Sequence, residues 1–101
     1  MSDWLGLLGL GLRGRLVSVG VEAVRNDLQA GKCRCLVLAS DASPRALEKV
    51  GRLAKATGIP VVAGPEADVI GQRLGRPPVM AVGVRDRDLA DGIVRSAPVR
   101  Q

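Results

Sequence analysis

The chain has 101 residues, a formal net charge of +5, and 47% hydrophobic residues against 25% charged ones. This length predicts a single domain with one core, and the composition excludes an intrinsically disordered chain. With one Trp and no Phe or Tyr, the core must be built from aliphatic side chains. The absence of His excludes Ser–His and Cys–His catalytic pairs and favours a non-catalytic protein. The basic charge indicates a polyanionic partner or, alternatively, only a soluble surface.

An N-terminal leucine-rich helix is predicted to run through about Leu12, with Ser2 and Asp3 as its caps. The apolar run from Trp4 to Leu12 has no basic residues before it and is too short to cross a bilayer. We therefore expect a well-buried core helix in a cytoplasmic protein that has no membrane partner.

Three glycines at the end of this helix fit the G-x-G-x-x-G pattern of dinucleotide sites, in the sequence Gly9-Leu10-Gly11-Leu12-Arg13-Gly14. In such sites a strand precedes the first glycine, and the pyrophosphate meets the start of a helix. Only eight residues precede Gly9, and they are predicted to be helical. We therefore expect no cofactor, and a nucleotide-binding protein or enzyme is the least favoured alternative.

Helices then alternate with short strands, which predicts a layered α/β/α domain with a largely buried sheet. The strands are predicted at Leu16 to Val19, Cys33 to Ala39, Val61 to Ala63 and Val79 to Val84. The helices are predicted to begin near Gly20, Ser43, Glu66 and Asp86. One domain is expected to cover residues 1–101, with a tail that frays from about Ser96.

Two cysteines, Cys33 and Cys35, stand two residues apart in the second predicted strand, so their side chains point to the same side. Such close neighbours make a poor disulfide, and zinc needs more ligands than these two thiols provide. We expect two buried, reduced thiols and no metal site.

The basic residues form two sets. Arg45, Lys49 and Arg52 share one side of the third predicted helix, where they either track a nucleic-acid backbone or form a solvated face. The second set lies near the first predicted strand and comprises Arg13, Arg15, Arg25, Lys32 and Arg34. Because the chain lacks aromatic platforms for stacking single-stranded bases, we favour structured RNA, contacted through its backbone and edges, as the partner.

Six phrases occur in a characteristic order between Leu5 and Ile93. They are Leu7-Leu8-Gly9-Leu10, Leu16 to Gly20 leading into Glu22-Ala23-Val24, Ala30-Gly31-Lys32, Leu36-Val37-Leu38-Ala39 before Asp41-Ala42-Ser43, Gly58-Ile59-Pro60-Val61, and Ile70-Gly71-Gln72-Arg73-Leu74-Gly75. Together they resemble the kink-turn RNA-binding ribosomal protein family called L-seven-Ae, with its bacterial YlxQ-like branch. The resemblance implies a three-layer α/β/α sandwich around a mixed four-stranded sheet. It also implies binding of RNA, often a sharply bent kink-turn, in association with ribosomes or translation.

The resemblance also implies where RNA binds, namely at the start of the second helix and in the loop after the fourth. Here those regions are Gly20 to Asn26 and Arg76-Pro77-Pro78. We expect basic side chains to contact phosphates and Gly20 to let backbone amides approach the RNA. The candidate site residues are Arg15, Gly20, Val21, Glu22, Arg25, Asn26, Lys32, Arg76 and Pro77.

The second predicted helix departs from the family pattern Gly-x-Asn-Glu-x-x-Lys. Gly20 matches, but Glu22, Ala23 and Asn26 stand where the pattern has Asn, Glu and Lys. A carboxylate at this place repels phosphate, and the loss of the Lys removes an attraction. The alternative hypothesis is therefore a protein-interaction module on the same fold that has lost RNA binding, with ribosomal or other proteins as partners.

Overall fold

Each helix and strand predicted from the sequence is present in the computed structural model, which describes residues 4–97. The elements in chain order are α1 (Trp4–Arg13), β1 (Val17–Val19), α2 (Val21–Gln29), β2 (Cys35–Leu38), α3 (Pro44–Ala46), a π-helical turn (Leu47–Gly51), α4 (Arg52–Thr57), β3 (Val61–Ala63), α5 (Ala67–Leu74), β4 (Ala81–Val84) and α6 (Arg87–Ser96). The segments from α3 to α4 follow one another without a break and are called the α3–α4 helix below.

The sheet has the strand order β1-β4-β2-β3. Strand β4 is antiparallel to both of its neighbours, whereas β2 and β3 are parallel, so the sheet is mixed as expected. All residues of the two central strands, β2 and β4, are buried. Their continuous apolar sequences follow from this position, because a strand covered on both faces has no solvent side.

Two hydrophobic clusters lie on opposite faces of the sheet and define the three layers. One cluster joins Val37 and Val82 of the sheet to Ile70 of α5 and Ile93 of α6, with α1 packed beside them. The other joins Leu36 to buried residues of α2 and the α3–α4 helix. The predicted α/β/α sandwich is therefore confirmed. Among residues 4–97, no helix is both long enough and apolar enough to cross a membrane.

Both ends of the described chain differ from expectation. Helix α1 is less buried than predicted, since Leu8 is enclosed but Leu10 is 60% exposed. It packs on α5, α6 and β1, but most of its residues are only partly buried. The predicted caps at positions 2 and 3 lie outside the described residues. At the other end, α6 continues to Ser96 and Ala97 is buried, while the rest of the predicted tail lies outside the described residues.

The α3–α4 helix begins as predicted, because Ser43 Oγ accepts a hydrogen bond of 3.1 Å from the Ala46 amide and Pro44 occupies the first turn. Its centre was not predicted. Residues Leu47–Gly51 form a π-helical turn, a local widening that is frequent at functional sites. The buried side still includes Val50.

An ion pair links α2 to the end of β4. Asp27 is 7% exposed, and its two carboxylate oxygens accept hydrogen bonds from Arg85 Nε at 2.6 Å and Nη2 at 3.3 Å. Burial opposes ionisation, but the hydrogen bonds from Arg85 and Ser18 outweigh it and lower the pKa of Asp27. The pair therefore fixes α2, which carries part of the candidate site, against the end of strand β4.

Asp27→Asn is expected to destabilise the protein by about 1–2 kcal/mol at neutral pH, because Arg85 loses its charged acceptor. Since the folded pKa is depressed, the contribution is present above the unfolded pKa of about 4 and is lost as the pH falls through the folded value. Urea unfolding of both proteins between neutral pH and pH of about 3 measures this. Asp91→Asn, at an exposed position, is the control. A difference between wild type and Asp27→Asn that stays constant across this range would contradict the prediction.

Candidate nucleic-acid interface

Helix α2 begins at a glycine that no other residue type replaces well. Gly20 has φ 99° and ψ 154°, a region of backbone space that is essentially restricted to glycine. Its N–H donates to the Ala81 carbonyl at 2.9 Å, which fixes the start of α2 beside the start of β4. No side chain caps this helix end. The first amides of α2 therefore point away from the helix without an intrahelical acceptor, as an anion site requires.

The loop 75–80 reaches the same end of the sheet, because it leads directly into β4. Two backbone hydrogen bonds join this loop to α5. The Arg76 N–H donates to the Gly71 carbonyl at 2.8 Å, and the Val79 N–H donates to the Ala67 carbonyl at 2.9 Å. The last loop residue, Met80, lines a shallow cavity of about 180 Å³. The two regions that the resemblance implies thus lie together.

This cavity also includes residues that the sequence analysis did not assign to the site. The complete lining is Val21, Glu22, Ser43, Arg45, Ala46, Lys49 and Met80. The start of the α3–α4 helix is therefore a third wall. The sequence did indicate a basic side of this helix, formed by Arg45, Lys49 and Arg52. It could not indicate that this side lies next to α2, because that depends on how the two helices pack on the sheet.

The carboxylate of Glu22 is neutralised by a neighbouring helix. Lys49 Nζ lies 2.6 Å from Glu22 Oε1, and Arg25 Nη1 lies 3.9 Å from Oε2. The hydrogen bond from Lys49 and its charge lower the pKa of Glu22. In the family pattern a Lys on α2 itself supplies the cation, whereas here Lys49 supplies one from the π-helical turn. The predicted repulsion at Glu22 is therefore offset, although an exposed pair of this kind is weak.

The remaining predicted residues near this end differ in exposure. Asn26, Arg76 and Pro77 are exposed, whereas Val21 and Arg25 are half-buried. Arg25 lies between the start of α2 and the α3–α4 helix, so it faces two surfaces.

Arg15 and Lys32 are not brought together with these residues. The Leu16 carbonyl, next to Arg15, accepts from the Arg85 N–H at 2.7 Å, just beyond the last residue of β4. Lys32 lies in the loop that leads into the same end of the sheet, where Cys35 pairs with Val84. Gly20 instead bonds to the first residue of β4. The length of a strand therefore separates Arg15 and Lys32 from the other candidates.

The two thiols are buried and reduced, as expected. Cys33 Sγ donates to the Cys35 carbonyl at 3.1 Å. Burial raises the pKa of Cys33 to about 11 and that of Cys35 to about 12. Both are therefore protonated and unreactive at neutral pH. Within residues 4–97, no cluster of three or more His, Cys, Asp or Glu side chains could hold a metal ion.

The glycine pattern at residues 9–14 lies in the wrong context for a nucleotide. Gly9 and Gly11 are inside α1, and Gly14 follows it in a turn. A dinucleotide site would need a strand in place of this helix. The structure gives no support to the nucleotide-binding alternative.

The sandwich and the basic side chains at one end of its sheet define a small α/β/α domain with a candidate anion-binding surface. A family model for the ribosomal protein L7Ae/L30e/S12e/Gadd45 family matches residues 3–93, and the chain belongs to this family. It is similar to the RNA-binding protein YlxQ of Bacillus subtilis (strain 168), with 26% identity over 91% of this chain and 92% of that protein. It is also similar to a solved structure of a protein of unknown function from Bacillus halodurans C. That similarity has a TM-score of 0.86 and 27% identity, covering 94% of this chain and 96% of the other.

Proposed function

We propose that this protein is a non-catalytic RNA-binding protein. The observation that carries the proposal is the convergence of the uncapped start of α2, the loop 75–80 and Lys49 around one cavity. Membership of a ribosomal protein family supports it, as does the similarity to a relative described as an RNA-binding protein.

Binding at this end uses two kinds of contact. The free backbone N–H groups after Gly20 donate hydrogen bonds to a phosphate, and the Arg25 and Arg76 side chains add charge-assisted hydrogen bonds. The bases or sugars at the bend of the RNA lie next to four further side chains, those of Val21, Glu22, Asn26 and Pro77. The ligand in this proposal is a sharply bent kink-turn in ribosomal or similar RNA, as the family resemblance implies. The protein then acts in the cytoplasm beside ribosomes, with ribosomal proteins as further neighbours.

Arg15 and Lys32 remain in the proposal as contacts to a more distant part of the same RNA. Both are exposed, and neither takes part in an ion pair with another residue of 4–97. Because a strand length separates them from Gly20, they contact only an RNA that extends past this end of the sheet.

Titration of a labelled kink-turn RNA and of a plain hairpin of equal composition tests the proposal at roughly 50 and 200 mM salt. Wild type is expected to bind the kink-turn more tightly, with affinity that falls as salt rises. The Arg25→Gln/Arg76→Gln double variant is expected to reduce the salt slope by about 1.4–1.8, since each lost phosphate contact removes about 0.7–0.9. Failure of wild type to bind any structured RNA at the lower salt would contradict the proposal.

The second candidate function, a protein-interaction module without RNA affinity, rests on Glu22 and on Asn26. It predicts that Glu22→Asn/Asn26→Lys creates kink-turn binding that wild type lacks. Our proposal predicts instead that wild type already binds and that the double variant strengthens binding by roughly tenfold, since Lys49 is released from Glu22 and a cation is gained at position 26. The same titration distinguishes the two.

A further inference from the structure

A groove beside the candidate site separates α2 from the α3–α4 helix. It has a volume of about 540 Å³, and its lining is Arg25, Gln29, Arg45, Glu48, Lys49, Arg52 and Leu53. Arg45 and Lys49 also line the smaller cavity at the start of α2, so the two surfaces are continuous. We propose that this groove binds the sugar-phosphate backbone of an RNA stem that extends from the RNA bound at the start of α2. This inference rests on the proposed function.

The charge of the groove is the first argument. Among the described residues, four lining side chains are cations and Glu48 is a carboxylate. Lys49 and Arg25 also face the carboxylate of Glu22 outside the groove, so Arg45 and Arg52 are the cations most available to a phosphate. Arg52 Nη1 lies 3.4 Å from Glu48 Oε1, but both side chains are more than two-thirds exposed, so this pair is weak. Arg45 forms no ion pair with any residue of 4–97. A phosphate can therefore replace Glu48 beside Arg52 and can bind Arg45 without breaking an existing pair.

The spacing of the cations is the second argument. From Arg45 to Arg52 the helix advances about 10 Å, over which one strand of a duplex presents roughly three phosphates. Lys49 lies between them on the π-helical turn. A row of cations at this spacing matches a phosphate backbone rather than a single bound anion.

The composition of the groove selects the class of partner, because its described lining residues include no aromatic side chain and a single aliphatic one. The only aromatic residue of the chain, Trp4, lies on α1, on the opposite side of the sheet. Single-stranded RNA would need aromatic side chains on which its bases stack. A protein partner would need an apolar anchor point, and Leu53 is the only aliphatic side chain among the lining residues that the structure describes. A duplex backbone is the ligand that charge alone can hold.

Two kink-turn RNAs test the inference, one with short stems and one with a stem of about 12 base pairs, longer than the 31 Å extent of the protein. Arg45→Gln/Arg52→Gln is expected to weaken binding of the long RNA about tenfold and to lower its salt slope by about 1.5–2. Binding of the short RNA should weaken by no more than about threefold, because only Arg45 of this pair also lines the cavity at the start of α2. Arg87→Gln/Arg95→Gln, which removes the same charge from α6 on the opposite face, should leave both RNAs unaffected.

The outcomes separate this inference from the proposed function. If wild type binds both RNAs but the Arg45/Arg52 variant matches the α6 control on the long RNA, the groove is not a binding surface. If wild type binds neither RNA, the proposed function itself fails. Glu48→Gln gives an independent check, since removal of the groove carboxylate should strengthen binding of the long RNA alone. Circular dichroism and thermal unfolding verify that these surface variants remain folded.

Discussion

Gly71→Ala is expected to destabilise the protein by about 2 kcal/mol and to displace the loop 75–80. A Cβ at this position would lie 2.7 Å from the Arg76 carbonyl oxygen and closer still to that of Pro77. These are backbone atoms, so the loop itself must move, and overpacking of this kind costs about 1–3 kcal/mol or more. The better helix propensity of Ala recovers up to about 1 kcal/mol of that cost.

Thermal unfolding measures this effect, with an expected fall in Tm of roughly 8–16 °C for a domain of this size. Because the loop is one wall of the proposed RNA site, kink-turn affinity should also fall, by roughly tenfold. Gly9→Ala is the matched control: it is also a helical glycine, but nothing lies within 4 Å of the added Cβ. The control should be stabilised by about 0.5–1 kcal/mol. Equal Tm values for the two variants would show that the loop does not rest on Gly71.

Gly20→Ala is expected to cost about 2 kcal/mol for a different reason. No atom lies within 4 Å of the added Cβ, so the substitution causes no steric clash with neighbours. The cost comes from the backbone alone, because an L-residue at φ 99° and ψ 154° is strained by about 1–3 kcal/mol. Relief of the strain is expected to rotate the Gly20 peptide and to turn the first amides of α2 away from the proposed phosphate position.

Guanidinium unfolding and RNA titration on the same variant measure both consequences. Gly51→Ala is the control, since this glycine has helical angles of φ −63° and ψ −43° and open space around its Cβ position. We expect Gly20→Ala to lower both stability and affinity, and Gly51→Ala to lower neither. If Gly20→Ala retains the stability of wild type, position 20 does not adopt the strained conformation that this prediction requires.

The sequence was sufficient for the layers and most element boundaries because local signals define them. The apolar runs of β2 and β4 indicated buried strands, Ser43 and Asp86 indicated helix starts, and each of those starts is present with its side-chain cap. The family resemblance then supplied the mixed sheet, which no local pattern in this chain specifies.

The features that were missed depend on contacts between residues far apart in the chain. The pairing of Glu22 with Lys49 requires α2 to pack against the α3–α4 helix, and the pairing of Asp27 with Arg85 spans 58 residues. The π-helical turn likewise has no distinct sequence signature within a regular amphipathic pattern. The exposure of α1 was missed because its leucines surround the helix, whereas neighbouring elements cover it only in part.

The candidate site likewise combines regions that could be predicted from the sequence with positions that depend on the fold. Gly20 to Asn26 and the loop Arg76-Pro77-Pro78 were assigned from the family resemblance, and both regions lie at one end of the sheet. The positions of Arg15 and Lys32 could not be derived from sequence distance, because Arg15 is closer in sequence to Gly20 than Met80 is, yet it lies at the other end of β1. Strand direction decides which residues share an edge of the sheet.

Chemical-shift mapping of backbone amides during titration with a kink-turn RNA tests the central claim most directly. The account predicts that the largest changes fall on residues 20–26 and 75–80, with smaller ones along 45–52 when the stem is long. Changes concentrated on α1 and α6, with residues 20–26 unaffected, would place RNA on the opposite face of the sheet and contradict the account.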